Sequence, residues 1–390
     1  MKRLVALALS LAMLLCLCAC AKETGSSAET ASEKVPEETI SEERISTEEA
    51  LSAGEDAEND TTVYNTESWD KITLTVAIAD GENDYYSKCF RWFAEQIESR
   101  SNGKIDFNVF YGGTYCSLPE AFDNVSSGAV DMSLWNQSIN SDVMPFTAFT
   151  GLANGNKEAL DMTNYMVYEN PETAAVYEKY ASANNIKMLG YLPAGTSLFC
   201  AKSEIKSFED FAGITFGTML NASLWESLGF NVVSCAPSDM YESLSRGVID
   251  SACQALPSAI AKMFYEVTSY GLLTSYSATC FNLIINLDRW NSLSEDQQAL
   301  FVEVMAELEP YSLDLYDDLE TEWLNTWESA TGNPVVRMSE SDAQKYIVNS
   351  YQINYKTYSS AADTLGARDD FEIIVDAHND YLGIDCRKGE

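Results

Sequence analysis

Between Lys71 and Ala79 apolar residues alternate with polar ones at Ile72, Leu74 and Val76 and close in an apolar run, which predicts a first strand entering a covered sheet. Tyr86, Phe90, Phe93 and Ile97 then recur at steps of three and four, the spacing of a helix with one buried face, and Ser101-Asn102-Gly103 stops the run. Ile105 to Tyr111 reads as a strand again. Strand, helix, strand in this order implies a largely parallel sheet.

A repeat at a spacing of 119 residues carries the pattern further. Glu120-Ala-Phe-Asp-Asn-Val-Ser-Ser-Gly128-Ala-Val-Asp131 matches Asp239-Met-Tyr-Glu-Ser-Leu-Ser-Arg-Gly247-Val-Ile-Asp250 at its acid, aromatic, aliphatic, Ser, Gly and Asp positions. Each copy predicts a short amphipathic helix, a glycine in the left-handed position that ends it, and a strand. Ser117-x-x-Glu120 opens the first copy as a capping box. One similar α/β unit in each of two lobes is the expectation. Further strands are expected at Ile186–Tyr191, running towards Thr196 and Phe199, and at Phe281–Leu287. Ser294-x-x-Gln297 caps a long pattern in which Leu300, Phe301, Val304, Met305, Leu308, Tyr311, Leu315, Leu319, Trp323 and Trp327 keep one face apolar. Continuous from Glu295 to Glu328, this helix would be roughly 50 Å long, wider than one lobe. Pro310 is expected to kink or interrupt it.

The first twenty residues change the picture from a plain globular chain to an exported one. Lys2-Arg3 precedes fifteen mostly apolar residues, too few for the roughly twenty of a membrane span, so residues 1–20 read as a signal peptide. Leu17-Cys18-Ala19-Cys20 resembles the bacterial lipobox, which implies cleavage before Cys20 and lipidation of its sulfur. The expected location is the outer face of the cell membrane, held by the lipid on Cys20. Residues 21–70 carry 15 acidic and 3 basic side chains in low-complexity order and are expected to form a disordered tether of roughly 40 Å. Of the formal charge of −36, −12 falls on that segment and −26 on residues 71–390, which argues against a nucleic-acid partner.

Chemistry is sparse. Cys89, Cys116, Cys200, Cys235, Cys253, Cys280 and Cys386 are odd in number, show no C-x-x-C spacing, and are read as small buried hydrophobes. His378 is the single histidine and is assigned no role. Neither a metal site, a cofactor motif nor a nucleophile motif is present, so an enzyme is not expected.

In order and spacing, Gly103-Lys-Ile, Phe110-Tyr-Gly-Gly113, Gly128-Ala-Val-Asp131-Met, Ile186-Lys-Met-Leu-Gly190-Tyr, Ile205-Lys-Ser-Phe-Glu-Asp210-Phe-Ala-Gly213-Ile, Leu228-Gly229-Phe, Tyr241 to Asp250, Phe264-Tyr-Glu266-Val and Asn286-x-x-x-Trp290-x-x-Leu293 resemble the DctP-type solute receptors of tripartite ATP-independent periplasmic (TRAP) transporters. The likeness runs from about Ile72 to Trp327. It implies an α/β, two-lobed periplasmic-binding-protein-like fold with crossing hinge strands, a long helix bracing both lobes, and delivery of a small molecule to a permease of a small and a large membrane subunit. On this reading lobe I is 71–193 plus about 282–315, and lobe II is about 194–281 plus 316–390. A receptor for an ATP-driven importer and a surface lipoprotein without transport function are the alternatives.

Ligands of open α/β sheets lie beyond the carboxyl ends of strands. The candidates there are Asp80 and Asn83 after the first strand, Trp135 and Asn136 after the first repeat, and Gln254 after the second. Tyr191, Thr196 and Phe199 are added from the crossing strand, and Phe216, Gly217, Thr218 and Asn221 from the segment after Gly213. In the family an arginine follows the Gly-Leu-Lys-Ile segment and grips the ligand carboxylate; here Gly217 stands in its place, and an upstream arginine of some relatives aligns near Thr196 or Ser197. The expected pocket is therefore aromatic and neutral-polar, suited to a neutral polar or cationic solute rather than a simple carboxylate.

Overall fold

The computed structural model describes residues 64–388 apart from 137–138, 141–142, 145, 147–155 and 219–221. The signal peptide, Cys20, most of the expected tether and Asn221 lie outside the described residues. Packed structure starts before Asp70, because Tyr64 and Trp69 supply apolar surface. Trp69 is buried, Thr66 accepts from Asn102, and the Tyr64 hydroxyl donates to Glu303 at 2.8 Å.

The first lobe opens with β1 (Ile72–Ala77), α1 (Tyr85–Arg100), β2 (Ile105–Phe110), α2 (Ala121–Ser126) and β3 (Met132–Asn136). The chain then forms α3 (Asn156–Asn164), α4 (Pro171–Ala183) and the long β4 (Ile186–Ala201). The second lobe is built from β5 (Thr215–Thr218), α5 (Ala222–Ser227), β6 (Asn231–Ser234), α6 (Met240–Arg246), β7 (Ser251–Ala255) and α7 (Leu256–Ala261). Return comes through β8 (Tyr270–Asn286), α8 (Leu287–Asn291) and α9 (Glu295–Thr331); β9 (Val336–Arg337), α10 (Glu340–Leu365) and α11 (Arg368–Leu382) complete the chain.

All strands belong to one sheet of order β2-β1-β3-β8-β4-β7-β5-β6, with β9 on β8. The repeat accounts for its two ends. Asp131 donates its backbone N–H to the Thr75 carbonyl at 2.9 Å, and Asp250 does the same to Thr215 at 2.9 Å. Gly128 and Gly247 end the two repeat helices at φ of +75° and +74°. The capping boxes expected at Ser117 and Ser294 both form.

β4 and β8 run antiparallel along almost their whole length, far beyond the strands legible in sequence. Gly, Ser, Thr and Pro in 193–197 and 271–279 blur the alternation that would have revealed them. The register slips between Met188 and Gly190, between Pro193 and Gly195, and between Gly195 and Ser197, so two of the three bulges lie where the chain crosses from one lobe to the other.

Helix α9 continues through Pro310 without a break and, at 37 residues, is about 55 Å long. Its first half packs on lobe I, with Phe301 against Phe93 and Glu303 and Glu307 on Arg100. Its second half carries Trp327, wholly buried in the lobe II core with Leu198, Leu244 and Phe264. Beyond it, α10 packs on β8 and α5 while α11 packs on α4. Asp370 of α11 accepts from Lys179 at 2.7 Å and from the Tyr180 hydroxyl at 2.9 Å. His378 is buried beside the Tyr351 ring, and burial pulls its pKa down to about 3, so it is a neutral core residue. All seven cysteines of the described part are free thiols, and all but the half-buried Cys253 are buried.

Gly195 sits at the crossing with φ +99°, and an added Cβ would lie 2.9 Å from both Pro257 Cδ and Tyr316 Cε2. Gly213 has φ +82° and open space around it. Gly195→Ala is expected to lower unfolding free energy by about 2–4 kcal/mol, and Gly213→Ala by only about 1 kcal/mol. Urea denaturation of the two variants checks this; equal losses would mean that the α7 and α9 contacts at the crossing yield freely.

Candidate functional site

Strand pairing locates the junction of the lobes. The last residue of β3, Asn136, is opposite Phe281 on β8, and the last residue of β7, Ala255, is opposite Ser197 on β4. Phe281 is in turn opposite Leu192. The carboxyl ends of both half-sheets therefore point at the same stretch, 192–197 of β4, where an α/β sheet places its ligand.

Four elements meet there. From α1 the Tyr86 hydroxyl donates to the Ala194 carbonyl at 2.5 Å, and the Tyr85 hydroxyl donates to the Ser312 carbonyl of α9 at 2.9 Å. From α9 the Tyr316 hydroxyl is 2.9 Å from Thr196 Oγ1 and 3.2 Å from the Thr196 nitrogen, whose N–H it accepts. From α7, Pro257 abuts Gly195, and Ser258 lies beside the Tyr86 hydroxyl. Burial raises both Tyr86 and Tyr316, so their hydroxyls stay protonated and act as fixed donors or acceptors.

Asp80 follows β1 at the edge of this junction. Its carbonyl accepts from the Gly112 N–H at 2.7 Å, which fixes the turn. Burial pushes its carboxyl up to about 6; nearby Lys262 opposes that rise and Asp84 adds to it. Lys262, which caps α7, is exposed, yet the surrounding protein lowers its ammonium pKa, with Asp80 and Asp84 pulling the other way. Ser258 and Lys262 are four residues apart and share one face of α7. Among the described residues no three of His, Cys, Asp and Glu group closely enough to hold a metal ion.

The remaining candidates scatter. Asn83 is in the exposed turn before α1, and Asn136 ends β3, partly buried. Trp135 is wholly buried against Phe122, with its indole N–H on Asn140 at 2.8 Å. Tyr191 is buried beside Tyr168. Phe199 and Phe216 belong to the aromatic core of lobe II with Phe208, Phe211, Trp225 and Phe230. Thr218 is buried at the end of β5, and Gln254 donates to the Met240 sulfur at 3.1 Å. At Gly217 an added Cβ would collide with Ile249 Cδ1 and lie 3.2 Å from Cys235 Cβ, so apolar packing occupies the space where a side chain would start. Sequence reasoning missed Tyr86, Ser258, Lys262 and Tyr316. Tyr86 is hidden in the apolar stripe of α1, and the others belong to no motif.

Two half-sheets of the same topology, joined by crossing strands, braced by one helix and converging on a polar junction, form the architecture of a two-lobed solute-binding protein. The chain belongs to the DctP family, bacterial extracellular solute-binding protein family 7, whose profile matches residues 76–360. A solute-binding protein of Chromohalobacter salexigens is 26% identical over 221 residues, which cover 55% of this chain and 64% of that relative. The apo open structure of a TRAP periplasmic solute-binding protein from Marinobacter aquaeolei superposes with a TM-score of 0.68 at 23% identity, covering 78% of this chain and 99% of that one. A TRAP periplasmic solute-binding protein from Sulfitobacter sp. NAS-14.1 with bound β-D-galacturonate superposes at 0.66 and 22% identity, again covering 78% and 99%.

Because the folded state holds the Asp80 proton more tightly than the unfolded chain, this group favours folding fully below about pH 4, and the contribution is lost as pH rises to about 6. Asp80→Asn should therefore gain on the wild type over that interval, ending about 1–2 kcal/mol more stable at neutral pH once solvent screening is allowed for. Denaturant titrations of both proteins from acid to neutral pH measure the difference. A pH-independent difference would show that Asp80 titrates normally.

Proposed function

We propose that this chain is a lipid-anchored extracytoplasmic receptor that closes two lobes on a small solute and delivers it to a TRAP-type permease of a small and a large membrane subunit. The observation that carries the reading is the convergence of both half-sheets on residues 192–197, with bulges in β4 at that point. Bulged crossing strands can bend while the sheets on either side stay rigid. Lobe I is assigned to 71–193 plus about 282–315, and lobe II to about 194–281 plus 316–390. The fold match to TRAP receptors supports the choice of permease.

The solute meets polar groups from both lobes: Asp80 from the first, Ser258 from the second and Thr196 from the crossing. Such a set suits a hydroxylated small molecule. The absent arginine argues for a neutral or cationic solute, whereas the galacturonate in the Sulfitobacter protein argues for a sugar acid.

A receptor gains stability from its solute as RT ln(1 + [L]/Kd). Thermal unfolding of the full-length chain with organic acids, sugars, amino acids and polyols should show at least one class raising Tm, with the rise growing with concentration. A chain indifferent to every class would be a surface lipoprotein without a transport role.

Anchoring is tested separately. Cys20→Ser should move the protein from the membrane fraction to the soluble fraction of bacteria expressing it, because the remaining tether is polar and acidic. Unchanged membrane retention would assign the anchor elsewhere.

A further inference from the structure

A cavity of about 330 Å³ opens on the flank of lobe I, between α4, the start of β4 and residues 165–169, which wind as a π-helical turn. Its two β4 residues, Lys187 and Met188, are opposite Ile285 and Ile284 on β8, and these are opposite Met132 and Ser133 at the start of β3. The cavity is therefore at the amino end of the lobe I half-sheet, whereas the junction at 192–197 is at its carboxyl end. Its size falls at the small end of the range for ligand pockets.

The bed is apolar. Val167 and Met188 are buried, and Ala174 and Ala175 of α4 leave the room by being small. One wall is the ring of Tyr168, 44% exposed and carried on the π-helical turn, a winding that recurs at functional sites. Behind this wall the Tyr191 hydroxyl donates to the Met188 sulfur at 3.7 Å. Asn282, opposite Tyr191, is wholly buried, and its amide lies beside the Tyr168 and Tyr191 hydroxyls in bonding geometry with neither. An unbonded amide gives Tyr168 no polar tie from behind, so the ring can yield to a bulky guest. At the mouth Lys187 Nζ is 3.3 Å from Glu178 Oε2, a looser pair than Lys179–Asp370 at 2.7 Å or Lys157–Asp161 at 2.8 Å. The other Glu178 oxygen accepts from Ser182 at 2.9 Å, which holds the carboxylate in place.

We propose that this cavity is a second small-molecule site, separate from the lobe junction, which takes a free α-amino acid with a large apolar side chain. The carboxylate of the guest pairs with Lys187, its ammonium pairs with Glu178, and its side chain lies on Val167, Met188 and the Tyr168 ring. Opposite charges side by side above an apolar bed are the complement of such a zwitterion, whereas a simple cation or anion leaves one member of the pair unmatched. The site does not depend on which solute the junction binds.

Isothermal titration calorimetry on the full-length chain tests this, with L-phenylalanine and L-leucine as probes and phenethylamine and 3-phenylpropionate as counterparts that each lack one head charge. At least one amino acid should bind below about 10 mM, and both counterparts should bind at least about tenfold more weakly than phenylalanine or leucine. Ala175→Trp fills the cavity from the exposed face of α4 and should abolish the binding. Lys187→Met should weaken it by about tenfold and narrow the preference over phenethylamine. The solute found by the thermal panel should bind Ala175→Trp as it binds the wild type; if that solute is itself an amino acid, the stoichiometry should fall from two to one. No binding of either probe would overturn the proposal. Equal binding of the probes by the wild type and Ala175→Trp would also overturn it, by seating the amino acid elsewhere, while leaving the receptor function standing. Circular dichroism of each variant shows that a lost affinity is not lost folding.

Discussion

The antiparallel pairing of β4 with β8 is the constraint on which the rest of the molecule depends. Both strands pass through both lobes, and the parallel half-sheets β2-β1-β3 and β7-β5-β6 are built outward from them. Parallel strands need covered faces and crossover helices, so each half brings its own helices and its own buried core. The halves share the crossing ribbon and a further buried cluster that takes in residues of both, from Phe122 and Trp135 to Phe199 and Phe216. Two of the ribbon's three bulges lie within 193–197, so the residues that converge there sit where the ribbon bends most readily.

Two further elements limit that freedom. Helix α9 lies along both lobes on one side, tied to lobe I by Arg100 and the Phe93–Phe301 contact and to lobe II by Trp327. The α10–α11 hairpin reaches from β8 and α5 to α4, and its apolar residues Ile347, Tyr351, Phe371 and Ile374 join the same buried cluster as residues of both lobes. Rigid-body rotation therefore has to be accommodated along helix surfaces as well as at the ribbon, which favours a small rotation over a wide swing.

The architecture was legible in sequence where periodicity was strong. The α1 stripe, the 119-residue repeat and the uninterrupted face of α9 gave helices and strands close to their observed positions. Pro310, expected to kink or interrupt α9, does not interrupt it, because the helix's packing on both lobes outweighs the lost hydrogen bond. The site was far less legible. Aromatic residues near strand ends, such as Trp135, Phe199 and Phe216, read equally well as pocket or core, and the structure packs them inside the lobes. Pro257 and Tyr316 carry no sequence signature, because what brings them together at Gly195 is the way α7 and α9 pack on the crossing, a tertiary contact that local pattern does not encode.

The thiols have a consequence for an exported protein. Cys89, Cys200 and Cys280 are wholly or almost wholly inaccessible, and burial pushes each thiol up to about 12, so almost no thiolate exists at neutral pH to attack an oxidant or a disulfide. The fold draws no strength from cross-links among the described residues and offers these sulfurs no route to forming them. At these three sites, then, the packing of the core stands apart from the redox poise of the surroundings, in anoxic sediment as in aerated water.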